Sequence, residues 1–141
     1  KLLTMEPKSR GTDINAAVRF FNNSTKQKSI AFILSDFMTD KYDDALRVAG
    51  NKHDVIGIKV YDKMDMQLPK IGLVQVQDAE TGMMEWIDTD DATVQYNYAT
   101  QFNQTEEACR TSFKRAGASL LYVRTDEDYV KILQKFFIQR K

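Results

Sequence analysis

The chain has 141 residues, enough for one domain that can bury roughly two thirds of its unfolded surface. Charged residues make up 28% and hydrophobic ones 43%, and 20 Lys+Arg balance 20 Asp+Glu, so nothing favours electrostatic binding to nucleic acid or to an anionic membrane. A single cysteine, Cys109, excludes an internal disulfide and fits a reducing, cytoplasmic setting, and no apolar run approaches the ~20 residues that span a bilayer.

The chain opens Lys1-Leu2-Leu3 with no signal peptide and no initiating Met, which reads as a processed or partial polypeptide. Residues 1–4 read as the tail of a helix, and "EPKSRG" (Glu6 to Gly11) as a loop. Thr12 or Asp13 can cap the next helix, in which Ile14, Ala17, Val18 and Phe21 fall on one face. Ile30 to Leu34 read as a strand buried on both faces, as in a parallel sheet. Residues 40–49 form a short helix with Tyr42, Ala45, Leu46 and Ala49 inward, ended by Gly50.

"DVIGIKVYD" (Asp54 to Asp62) is a second apolar strand, followed by a loop over residues 63–72. Leu73 to Asp88 alternate as a β-hairpin with "DAETG" at its turn. A long helix runs from about Asp90 to Ala116 and stops at Gly117. Ser119 to Thr125 form another strand. "TDED" (Thr125 to Asp128) has a capping-box pattern before a last helix with Val130, Leu133, Phe136 and Phe137 inward. The alternation predicts a single α/β domain over residues 1–141: a three-layer, Rossmann-like, mostly parallel sheet with flanking helices and one hairpin.

In such sheets ligands bind beyond the carboxyl ends of the strands. Asp36 follows its strand there, and Thr12 precedes a helix that runs antiparallel to that strand, so both belong to one rim. A hydroxyl and a carboxylate suit Mg²⁺, which takes few protein oxygens and keeps several waters. Asp40 and Asp62 are acids at the same rim that would back such a site. The competing reading makes Thr12 a helix cap, Asp36 a polar strand end, and Asp40, Asp43 and Asp44 an acidic first helical turn. His53, alone, and Cys109, on an apolar helical stripe, read as structural. Met64, Met66, Met83, Met84 and Trp86 read as cover for the end of the core, with an adaptable exposed surface as the alternative.

"GTDINAAVRFF", "SIAFILSDFMTD" and "HDVIGIKVYD" together resemble the C-terminal part of a von Willebrand factor A-like domain. More narrowly, with "LPKIGLVQVQDAETGMMEWIDT" and "FKRAGASLLYVRTDEDYVKILQKFF", they resemble the bacterial family called domain of unknown function 58. The resemblance implies a metal-ion-dependent adhesion site, in which a D-x-S-x-S loop, a Thr and an Asp hold Mg²⁺ and leave a position open for a partner's carboxylate. It places the Thr on Thr12 and the Asp on Asp36. No D-x-S-x-S occurs in the chain, so the resemblance implies a partial domain whose first strand and loop lie upstream. It also implies a non-catalytic protein-interaction module acting with a MoxR-type AAA+ ATPase in chaperone-like assembly or stress response. The alternative is a Mg²⁺-dependent hydrolase or phosphotransferase using Asp36. Without that first strand, residues 30–34 would expose an edge through which the chain dimerises.

Overall fold

The computed structural model describes residues 12–39, 42–77 and 82–140. The readings made for residues 1–4 and 6–11, for Asp40 and for most of the "DAETG" turn lie outside them. Within them the order is α1 (Ile14–Ser24), β1 (Ile30–Ser35), α2 (Asp43–Lys52), β2 (Asp54–Tyr61), α3 (Lys63–Met66), β3 (Leu73–Gln77), β4 (Met84–Asp88), α4 (Ala92–Arg115), β5 (Ser119–Arg124) and α5 (Tyr129–Gln139). β1, β2 and β5 form a parallel sheet in that spatial order, and β3 and β4 form a separate antiparallel pair. This is the α/β class expected, as a partial Rossmann-like arrangement.

β2 is central, and its alternate residues serve two cores. On one face Val55 joins Ile14, Val18, Leu46, Ala49, Cys109 and Phe113 from α1, α2 and α4. On the other, Ile56 and Ile58 join Val123, with Ile132, Leu133 and Phe136 of α5 laid over them. Gly57 belongs to this arrangement, because a Cβ there would lie 2.4 Å from the Phe113 ring. The absence of a side chain lets α4 press its aromatic directly on the sheet.

Several boundaries differ from the sequence reading. α2 continues through Gly50 and ends at His53. Gly50 serves close approach, since a Cβ there would sit 2.0 Å from the Ala116 carbonyl oxygen. The segment after β2 contains α3, a single turn closed by a capping box: Met64 N–H donates to Asp62 and Asp62 N–H donates to Asp65. At α5 the cap is Asp128, which accepts from Lys131 N–H, while Thr125 turns its hydroxyl to Asp62. α5 is inward at Ile132, Leu133 and Phe136, whereas Val130 and Phe137 are 46% and 40% exposed.

β1 is also not buried on both faces. Among the described residues it pairs with β2 alone, and Ile30, Phe32 and Leu34 are 61%, 49% and 66% exposed, while Ala31 and Ile33 face the core. α5 reaches it only at the margin, where the Phe137 ring meets Phe32 at 6.2 Å. At the hairpin, buried Thr89 ties the base by accepting from Ile71 N–H and donating to the Gly72 carbonyl. Met64, Met66, Met83, Met84 and Trp86 are exposed around it rather than covering the core.

Candidate metal site at the carboxyl end of the sheet

The chain leaves α1 at Ser24 and enters β1 at Ile30, so the helix doubles back along the strand. The start of α1 and the end of β1 therefore approach the same end of the sheet. Thr12, Asp13 and Ser35 line one cleft there, a space of about 730 Å³ that runs between α1 and the free side of β1. Its floor is apolar: Ile14, Ala17, Val18, Phe21 and the length of β1. Asp13, not Thr12, caps α1, accepting from Ala16 N–H at 2.8 Å. The Thr12 side chain is exposed, and among the described residues its hydroxyl makes no hydrogen bond.

Asp36 stands one residue beyond β1, exposed. One carboxylate oxygen accepts from Met38 N–H at 3.1 Å and lies 3.4 Å from the Ser35 hydroxyl. Ser35 Oγ itself accepts from Phe37 N–H at 3.1 Å. These contacts order the loop and use only one oxygen of the carboxylate. The other, Oδ2, has no hydrogen-bond partner among the described residues. Phe37 takes the opposite direction into the core, with φ 53.

Asp62 ends the neighbouring strand but is otherwise engaged. Met64 N–H and the Thr125 hydroxyl both donate to it and hold its carboxyl below the usual carboxylate range. It links β2, α3 and the end of β5. Asp126 lies beyond it, with Lys63 and Arg124 bringing its carboxyl down to about 2. Asp40 lies outside the described residues. Asp43 and Asp44 occupy the first turn of α2, where Asp44 pairs with Arg47.

Among the described residues no three His, Cys, Asp or Glu side chains gather as a metal site. Thr12 and Asp36 carry oxygens of the hard type that Mg²⁺ takes; Thr12 lines the cleft and Asp36 stands outside its lining, one residue beyond Ser35. Further protein oxygens would have to come from elsewhere. Cys109 is fully buried and burial pushes its thiol up, against the direction a thiolate nucleophile needs. His53 is buried with its ring 4.6 Å from that of Phe21. Both are buried, Cys109 within the α1–α2–α4 core.

Two contributors went unnoticed in the sequence. Ser35 lies just past the run Ile30 to Leu34, and a hydroxyl directly before a strand-end Asp is the signal that could have found it. Phe37 carried no signal, because a positive φ in a bulky residue cannot be read from composition.

The family model described as "Protein of unknown function DUF58" matches residues 1–108. "Uncharacterized protein MAV169" of Mycobacterium avium is 29% identical over 130 residues, covering 92% of this chain and 76% of that protein. "Uncharacterized protein Rv1480" of Mycobacterium tuberculosis and "Uncharacterized protein Mb1516" of Mycobacterium bovis are each 28% identical over 130 residues. Those 130 residues are 92% of this chain but only 41% of either relative, so the chain spans less than half of their length. No solved structure matches.

Proposed function

We propose, from the premise that this chain belongs to the DUF58 family of proteins of unknown function, that it is a von Willebrand factor A-like, non-catalytic protein-interaction module. Its functional surface is the carboxyl end of the parallel sheet. There Thr12 and Asp36 supply part of a metal-ion-dependent adhesion site, and a segment outside residues 1–141 supplies the remaining donors. When bound, Mg²⁺ provides an open coordination position that accepts a carboxylate from the partner. The chain's own residues would orient that position: Ser35 and the Met38 amide hold one Asp36 oxygen, and Oδ2 has no hydrogen-bond partner among the described residues.

The observation that carries this reading is the cleft beside β1. Among the described residues β1 pairs on one side with β2, and its row of Ile30, Phe32 and Leu34 is exposed; parallel sheets are covered on both faces, so this strand suits a further strand and layer from the rest of the polypeptide. A strand added in the cleft would end at the rim that Thr12 and Ser35 line. The loop following it would fall beside Asp36, which is where additional donors are needed. Among the described residues that edge is unpaired, which supports a homodimer of the 141-residue chain through residues 30–34.

The partner we propose is a MoxR-type AAA+ ATPase, with the module acting beside it in assembly or stress response, in the cytoplasm. The test uses the full-length polypeptide and a purified ATPase of that type. Capture that requires Mg²⁺ or Mn²⁺, and is lost in Asp36→Ala, is the expected result. Metal-dependent turnover of a phosphate ester, lost in Asp36→Ala, would replace this reading with a hydrolase or phosphotransferase.

A further inference from the structure

We propose that Phe37 is a positioning residue for Asp36, an aromatic anchor driven into the core so that the preceding carboxylate is presented outward in one fixed geometry. The proposal rests on the reading of Asp36 as a metal ligand and adds the device that holds it.

Phe37 has φ 53, the one non-glycine residue with positive φ among the described residues. That region is unfavourable for a bulky side chain and persists only where the surroundings over-determine it. The surroundings here do so. The side chain is 2% exposed. Its ring meets Phe113 edge-on at 5.2 Å and 86°, and lies 5.8 Å from the Tyr42 ring. Phe113 is in turn pressed onto Gly57 of the central strand, where no Cβ would fit. The anchor is thus braced through α4 on the central strand of the sheet.

The backbone turn follows from the anchor. Phe37 N–H points back to Ser35 Oγ, and Met38 N–H points to Asp36 Oδ1. The chain is thereby turned so that residue 37 enters the core while residue 36 stays at the rim. A residue that merely filled space could adopt ordinary backbone angles. The combination of an uncommon φ, full burial and a neighbouring carboxylate held by two contacts is that of a preorganised ligand.

The experiment measures Mn²⁺ binding to the full-length polypeptide by calorimetry, at a temperature where each variant is fully folded. Asp36→Asn is expected to abolish binding. Phe37→Gly, which tolerates the backbone angle but removes the anchor, is expected to weaken it by about tenfold or more, the scale seen when support behind a metal ligand is removed. Phe37→Leu, which restores an apolar anchor, is expected to recover most of the loss. Should Phe37→Gly fail to fold, Phe113→Leu removes the aromatic wall without altering the loop, and is expected to weaken Mn²⁺ binding severalfold. Folded Phe37→Gly or Phe113→Leu binding Mn²⁺ as tightly as the parent, while Asp36→Asn does not bind, would overturn the anchor alone. Binding by Asp36→Asn equal to the parent's, or none by the parent, would overturn the metal reading and the anchor with it.

Discussion

Removing the Glu106 carboxylate is the perturbation with the largest expected cost to the sheet beneath the site. Lys59 lies on β2 directly across from Ser35 in the β1–β2 register. Its side chain is 1% exposed and points toward α4, where Nζ lies 2.7 Å from Glu106 Oε1, with Glu106 16% exposed. The ammonium also sits 5.8 Å from the Phe102 ring centroid. Neither charged atom makes a well-aligned hydrogen bond, so the attraction between the charges is what offsets their burial. At 2.7 Å and an effective dielectric near 20 the gross attraction is about 6 kcal/mol, most of it cancelled by desolvation.

The asymmetry decides the outcome. Glu106→Gln leaves a buried ammonium without a counter-charge, which costs roughly 3–5 kcal/mol. Against a typical total of 5–15 kcal/mol this is severe, and corresponds to a fall in Tm of roughly 10–20 °C for a domain of this size. Replacing both partners, Lys59→Met with Glu106→Leu, removes the unpaired charge and should return stability to the parent's level or above it. Chemical denaturation of the parent, the two single variants and the double variant reads the coupling directly. A loss below about 1 kcal/mol in Glu106→Gln would refute the reasoning, since it would mean that Lys59 is solvated or otherwise paired.

Acid should loosen the rim in a defined window. Asp62 and Asp126 both have depressed folded-state values, so their stabilisation is present above the unfolded value near 3.9 and is lost as pH falls through about 2 for Asp126. Unfolding followed between pH 5 and pH 2 should show that loss, with Asp126→Asn flattening it, and no matching change should appear between pH 5 and 7. Gly57→Ala drives a Cβ to 2.4 Å from the Phe113 ring and should cost about 1–3 kcal/mol by overpacking. An unchanged denaturation midpoint would show that α4 yields freely. The 141-residue chain alone should self-associate through β1, and Phe32→Lys on the exposed row should shift it to monomer by light scattering. A monomeric parent would remove that proposal.

The sequence disclosed the elements whose signals are local. A continuous apolar run located β2, alternation located β3 and β4, and Gly117, at φ 65, marked the end of α4. Other features depend on what lies across from a residue. Gly50 resembles a helix terminator, yet it lies inside α2 because Ala116 of another element requires the space. The run Ile30–Leu34 is as apolar as an interior strand, but burial depends on a neighbour that a run of side chains cannot supply. Thr125 resembles a helix cap, and it serves Asp62 from across the sheet end instead. At the site, a carboxylate ending a greasy strand was readable from position alone. The reason it points outward was not, because that lies in the backbone angle of Phe37 and in an aromatic contact with residue 113.

The central claim is that Thr12 and Asp36 address one hydrated cation. Paramagnetic broadening by Mn²⁺, followed by nuclear magnetic resonance on the full-length polypeptide, tests it most directly. The resonances of Thr12, Ser35 and Asp36 should broaden together at substoichiometric Mn²⁺, while those at the opposite sheet end, such as Asp54 and Ser119, stay sharp. Broadening of Asp36 without Thr12, or of neither, would contradict it.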